Sequence, residues 1–243
     1  MIKRKALLLG YSGYDEKDNY LSAVENDLKS YKKFLMSPKG GLWENDEIKT
    51  MIDEKLESID TELLSMKNKY DFVYIIYSGH GCYTKCQNLG INQYDYHLAD
   101  KDFEKLAPRQ ITVIDACAGK LSGNESINES VEKLIEKNTL DPKERTRIRE
   151  KYESQIQQSP QQEITLYSAE PGELSGADSK ESYYIGELLS ELNSVEEDIS
   201  IIKVHEIAKK EVIKRSQGTQ HPYSKVVPYN VSEYLPGAID DLF

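Results

Sequence analysis

Positive charge, cysteine and long apolar runs are all scarce in this sequence, and each shortage closes off a class of protein. Lys and Arg together number 31 against 42 Asp and Glu, a formal net charge of −11. That balance argues against general affinity for nucleic acid or an anionic membrane, and it favours basic substrates. No stretch reaches the apolar length of a membrane span, and the opening Met1-Ile-Lys-Arg-Lys-Ala-Leu-Leu-Leu has too short an apolar run for a secretory signal. Cysteine occurs three times, at Cys82, Cys86 and Cys117. An odd number without an export signal argues against a disulfide framework and for a reducing compartment, with the cytoplasm as the simplest location. There is no internal repeat. A chain of 243 residues is long enough for a sizeable core, and we read residues 1–243 as a single domain.

Two stretches organise what is present. Asp71-Phe-Val-Tyr-Ile-Ile-Tyr-Ser-Gly-His-Gly81 and Ile111-Thr-Val-Ile-Asp-Ala-Cys117-Ala-Gly119 are apolar runs that end in small-residue turns, each turn carrying one reactive side chain. Runs of this composition read as buried strands of a parallel sheet. Ligands of open α/β sheets bind in the crevice beyond the carboxyl ends of the strands, so His80 and Cys117 are expected to face a common cleft.

The rest of the chain fits around them. Lys5 to Gly10 reads as a first strand emptying into Gly10-Tyr-Ser-Gly13. Leu21, Val24, Leu28, Tyr31 and Leu35 form a helical stripe, ended by Pro38 and Gly40-Gly41. A short strand is expected over Glu47 to Ile52, and a second helix through Ile59, Leu63, Leu64 and Met66. This βαβαβ order predicts an α/β fold, a mainly parallel central sheet of about six strands with helices on both faces. Residues 82–108 are polar and tyrosine-rich and read as an irregular excursion beside the cleft. Leu121 to Gln162 reads as a charged, exposed helical insert with a flexible exit at Gln155–Gln162. A strand at Glu163–Ala169, a helix through Ile185, Leu188, Leu189 and Leu192, another over Ile201–Arg215 and a last strand within His221–Val227 complete the reading.

A cysteine acts as a nucleophile mainly as its thiolate, and a neighbouring histidine lowers its pKa from about 8.5 and later protonates a leaving amine. Ser78-Gly-His-Gly81 and Asp115-Ala-Cys-Ala-Gly119 offer that pair. The flanking glycines let the backbone turn sharply, so the N–H groups of Gly81 and Cys117 are candidates for an oxyanion site. Taken singly, a free cysteine is commonly an inert small hydrophobe and a lone histidine a packing residue. A metal reading uses His80, Cys82, Cys86 and His97 as tetrahedral zinc ligands, but His-x-Cys-x3-Cys is not a usual paired knuckle and would compete with His80 for catalysis.

These motifs resemble the caspase-like cysteine peptidases, the group that includes caspases and metacaspase-like enzymes. The resemblance covers most of the chain: Arg4-Lys-Ala-Leu-Leu-Leu-Gly10, Ala23-Val-Glu-Asn-Asp-Leu28, the histidine and cysteine motifs, Ser168-Ala-Glu-Pro and His221-Pro222. The caspase signature Gln-Ala-Cys-[Arg/Gln/Gly]-Gly, with a histidine about 50 residues upstream, is only partly met. Asp115 stands for Gln, Ala118 for the following residue, and His80 and Cys117 are 37 residues apart. These departures point toward the metacaspase-like branch.

The resemblance implies a caspase-like fold and a cysteine endopeptidase with a Cys117–His80 dyad. It also implies an acidic pocket of Asp27, Ser78 and Asp115 for an Arg or Lys side chain; Asp178 could face the site from its loop, as could Glu173 and several neighbouring residues equally well. Two carboxylates suit a guanidinium by charge and by donor geometry. On spacing alone, Asp27 would be a solvated helix residue and Asp115 a strand-end acceptor. Protein or peptide substrates follow, along with the possibility of an activating partner and a stress or defence role of the bacterial kind. No organic cofactor is implied. Calcium, which many metacaspases bind, has only Asp95, Asp100 and Asp102 as candidate ligands, too few for a recognisable site. The segment 121–162 corresponds to the linker that caspases often cut, so Lys133, Lys137, Arg145, Arg147, Arg149 and Lys151 are candidate self-cleavage positions. From another class, a catalytically silent adaptor with the same fold is the rival reading; retention of both His80 and Cys117 speaks against it.

Overall fold

The computed structural model describes residues 2–13, 20–91, 98–116, 140–178, 180–196 and 198–229. Its centre is a six-stranded sheet in the order β2-β1-β3-β7-β8-β9, built from β1 (Arg4–Tyr11), β2 (Ile48–Ile52), β3 (Phe72–Gly79), β7 (Arg109–Ala116), β8 (Gln162–Tyr167) and β9 (Tyr223–Pro228). The first five strands are parallel, and β9 closes one edge antiparallel to β8. Every residue of β3 and β8 is buried, as cover on both sheet faces requires; β3 meets it with the unbroken apolar run Phe72–Tyr77, whereas β8 also buries Gln162, Glu163 and Thr165.

Alternation along the strands sorts the core into two layers. Leu8, Tyr74, Ile76 and Val113 point to the face packed by α1 (Ala23–Met36), α4 (Tyr183–Ser194) and α5 (Ile201–Arg215). Leu7, Leu9, Val73, Ile75 and Ile114 point to the other face, covered by α2 (Leu56–Met66) and the segment around Phe103 and Leu106. The expected parallel α/β sheet with helices on both faces is what the chain forms.

Three local readings are corrected. Leu64 is 73% exposed, because the buried stripe of α2 runs through Ile59, Leu63 and Met66 and the next residue after Leu63 lies about 100° around the helix. The excursion after His80 is not irregular. It carries a small antiparallel sheet, β4 (Gly81–Tyr83), β5 (Gln87–Leu89) and β6 (Leu98–Ala99), whose strands of two or three residues are too short to leave a periodic signal. Finally, Gln155–Gln162 is no flexible exit: α3 (Pro142–Gln158) runs to its end, Ser159 is buried, and β8 starts at Gln162.

A charge network holds α3 down beside the apolar contacts of Ile156 and Tyr152 with the core. Glu47 lies between Arg4 (Nε to Oε1 3.2 Å) and Arg149, whose Nη1 donates to its Oε2 at 3.1 Å and whose Nη2 pairs with its Oε1. Arg149 also bonds Glu153, and Glu153 accepts from the amide of Ile2 at 3.1 Å. Arg145, Arg147, Arg149 and Lys151 are therefore helical, and Arg149 is locked in a network; Lys133 and Lys137 lie outside the described residues.

Candidate functional site

β3 and β7 are adjacent and in register, with Ser78 opposite Asp115 and Gly79 opposite Ala116. His80 and Cys117 each follow that last pair by one residue in the sequence. Cys117 itself lies outside the described residues, as do Asp95 and His97.

The His80 turn is held by its backbone. The Tyr77 hydroxyl lies 2.6 Å from the carbonyl oxygen of His80 and 2.7 Å from that of Gly90. The Gly90 amide donates to the His80 carbonyl at 2.8 Å, and the His80 amide donates to Tyr11 at 3.4 Å. His80 is 7% exposed, and its imidazole meets the Tyr11 ring edge-on, with centroids 5.4 Å apart. Asp53, at the end of β2, feels the charge of His80; burial raises its carboxyl, while the Ser12 amide and His80 pull it back. Because His80 and Gly90 form a hydrogen-bonded position of the antiparallel ladder, the next pair, Gly81 and Leu89, is the non-bonded one. The Gly81 N–H thus points away from β5. Gly81 also packs on Ala116 so closely that a Cβ would come within 2.7 Å of the alanine methyl.

Gly79 is the tightest point of this turn. Its φ is +152°, and a Cβ there would sit 2.5 Å from the Tyr11 carbonyl oxygen. Gly79→Ala is expected to cost about 1–3 kcal/mol of stability, read as a lower urea midpoint with an unchanged m-value; an unaltered midpoint would show that the turn tolerates a side chain.

On the α1 face, one residue back along each strand, lies a compact polar cluster. Asp27 of α1 and Asp115 of β7 are 1% and 3% exposed. Ser78 Oγ donates to Asp27 Oδ2 at 2.8 Å, and the Ser182 amide donates to Asp27 Oδ1 at 3.0 Å. Ser175 Oγ donates to Asp115 Oδ1 at 2.5 Å, the Ser182 hydroxyl to Asp115 Oδ2, and the Ile185 amide reaches that same oxygen at 3.4 Å. Burial raises both carboxyl pKa values. Asp27 is pushed further by the charge of Asp115, and the serine donors only partly oppose the shift in each.

The sequence reading brought Asp27, Ser78 and Asp115 together and missed Ser175, Ser182 and Gln220. Gln220 is buried; its Nε2 donates to the Ser168 carbonyl at 2.9 Å and to Ser175 Oγ at 3.2 Å, and its Oε1 accepts from the Gly176 amide at 2.9 Å. Ser175 thereby keeps its own hydrogen for Asp115. Only Ser182 carried a local signal, as the N-cap of α4 whose hydroxyl accepts from Ile185. Asp178 and Glu173 bond elsewhere: Asp178 with Arg215 at 2.6 Å, and Glu173 with the His221 ring at 2.6 Å and its amide at 2.7 Å.

Metal chemistry gains no support from the described residues. None of their His, Cys, Asp and Glu side chains form a group of three or more able to hold an ion. Cys82 and Cys86 are free thiols. Asp100 accepts from the Tyr167 hydroxyl and Asp102 from the Ala99 amide, so both are engaged in the local turn. Among the described residues, no helix is long and apolar enough to cross a membrane.

A family profile described as the caspase domain matches residues 3–228. No curated protein sequence matches. Among solved structures, caspase-1 from Spodoptera frugiperda is similar with a TM-score of 0.58 at 13% identity, over 92% of this chain and 86% of that one. Protein GSU0716 from Geobacter sulfurreducens is similar with a TM-score of 0.60 at 16% identity, over 98% of this chain and 97% of that one. At these identities the structural likeness speaks to the fold.

Proposed function

The chain belongs to the caspase domain family, and from that premise we propose that it is a cysteine endopeptidase that cuts peptide bonds after Arg or Lys in protein substrates. The observation that carries the specificity is the buried Asp27–Ser78–Asp115 cluster, which begins two residues before His80 and two before Cys117. A buried site offering two carboxylates and hydroxyl acceptors selects a cationic side chain and rejects an acidic one, whose charge would be left unpaired beside them.

In this reading the Cys117 thiolate attacks the scissile carbonyl carbon, and the carbonyl oxygen takes up negative charge. The N–H groups of Gly81 and Cys117 stabilise that oxygen. His80 takes the thiol proton and returns it to the leaving amine, after which water, deprotonated by the same imidazole, releases the acyl group. The fixed backbone of His80 supports this role, since a general base works best when its position is settled before substrate arrives. Nothing in this scheme calls for a metal or an organic cofactor.

Initial rates on matched fluorogenic peptides ending in Arg, Lys, Asp or Ala, with and without calcium and beside Cys117→Ala, test the proposal. Cleavage after Arg and Lys alone, abolished by the substitution, is the expected result. Cleavage after Asp would keep the peptidase and overturn the pocket; silence on every peptide, in the presence of binding partners as well, would favour the adaptor reading.

A further inference from the structure

Asp27 and Asp115 have a peculiarity that their role as a cation pocket leaves unexplained. All four of their carboxylate oxygens already accept hydrogen bonds, and the donors are neutral: the hydroxyls of Ser78, Ser168, Ser175 and Ser182 and the amides of Ser182 and Ile185. Ser182 serves both acids at once, its N–H on Asp27 and its Oγ–H on Asp115. Among the described residues, no Lys or Arg hydrogen-bonds either acid, and burial outweighs the donors that act on them. Two full charges this close, out of water and without a counter-cation, are strongly disfavoured, and such pairs ordinarily hold one proton between them.

The surrounding elements do not relieve the charge. α1 contributes Tyr31, β3 contributes Tyr74 and α4 contributes Tyr184, and burial raises all three phenols so that they stay neutral. Behind Tyr184, His205 of α5 is also neutral, its pKa pushed down to about 4 by burial and by Lys209. Glu181, just before Ser182, adds another acid and lies 3.9 Å from Arg215, whose guanidinium is committed to Asp178 and Glu187. His80 follows Ser78 by two residues, and its charge lowers the carboxyl of Asp53 at the end of β2.

We infer that a basic side chain enters the Asp27–Asp115 pocket in exchange for a proton, which the pair holds when the pocket is empty and loses to solvent when the cation arrives. The inference rests on the proposed pocket. Written as a balance, a carboxylic acid–carboxylate pair plus one guanidinium gives two carboxylates, one bound guanidinium and one hydrogen ion in the buffer. Ser182 makes the exchange possible by linking the two acids through a single residue. The functional consequence is a pocket whose cation affinity rises with pH until the pair is fully ionised, independently of the titration of the catalytic dyad.

Calorimetric titration of the full chain with agmatine, a bare guanidinium on a short alkyl amine, tests this without any turnover. At one pH near neutrality, in phosphate and in Tris, the difference in apparent binding heat gives the number of protons exchanged. Release of about half to one proton per agmatine is expected for the wild type, and none for Asp27→Asn, whose amide keeps the oxygen that Ser182 bonds. Agmatine affinity should also fall up to tenfold per pH unit on the acid side. Binding with no buffer dependence would overturn the exchange and leave the pocket standing. Absence of binding at millimolar agmatine, in a protein with unchanged circular dichroism, would overturn the pocket and the exchange together.

Discussion

A His80→Ala protein is expected to lose about 10²–10⁴-fold in kcat/KM on an Arg-ending peptide while remaining folded. The size follows from the chemistry. Without a base, little of the Cys117 thiol is ionised at neutral pH, given an ordinary pKa of about 8.5, and the leaving amine has no proton donor. The preserved fold follows from the way the turn is built. The Tyr77 hydroxyl and the Gly90 amide hold the carbonyl of His80, and Tyr11 accepts from its amide, so none of these contacts depends on the imidazole. The imidazole itself contributes an edge contact with Tyr11, whose loss costs roughly 1 kcal/mol. For a chain of this length that corresponds to a fall of about 2–4 °C in Tm. Rates and melting curves on the same preparation separate the two roles. Activity within tenfold of wild type would remove His80 from the dyad, and a collapse of the melting transition would make it a structural residue.

The parts of the fold that could be read ahead of the structure are those where burial imposes a pattern on consecutive residues. β1 and β3 announce themselves through the unbroken apolar runs Ala6–Leu9 and Phe72–Tyr77 that cover on both faces favours, β7 and β8 through shorter runs interrupted by Thr112 and Thr165, and α1 because Val24, Leu28, Tyr31 and Leu35 recur at helical spacing. The small sheet β4–β6 leaves no such pattern, since its strands end after two or three residues. α3 misleads for a different reason. Only Glu153 and Ile156 are buried along it, so its sequence looks solvated, while its attachment runs through guanidinium–carboxylate contacts to Glu47, about a hundred positions away. The site divides along the same line. His80 and the turn glycines stand out locally, and Asp27, Ser78 and Asp115 were recognisable through resemblance. Ser175, Ser182 and Gln220 are ordinary loop polars until the fold brings them to Asp115 across 60, 67 and 105 positions of sequence.

Glu47→Ala is expected to destabilise the folded state by about 3–5 kcal/mol, the largest stability loss among the single changes considered for this chain. Glu47 is the only carboxylate bonded to both Arg4 and Arg149 among the described residues, and the Arg4 side chain is fully buried. Removing it leaves two guanidiniums facing each other, with Arg4 supported by the carbonyls of Gly41 and Leu42 and by the Trp43 and Tyr152 rings, 4.5 and 5.5 Å away. The acid dependence of stability has a definite sign. Burial works to raise the Glu47 pKa, but Arg149, the Glu44 amide and Arg4 outweigh it and hold the carboxyl below the ordinary glutamate value. A depressed carboxylate contributes stability that is fully present above its unfolded pKa and fades as pH falls through the folded one. The wild type should therefore lose urea resistance on acidification below about pH 4.5, and Glu47→Ala should lose less over that window because it has already forfeited this contribution. The double change Arg4→Met with Glu47→Leu replaces the charges by apolar bulk and should recover part of the loss, as buried ion pairs exchanged whole often do. If Glu47→Ala unfolds at the wild-type urea concentration, α3 is held by something other than this network.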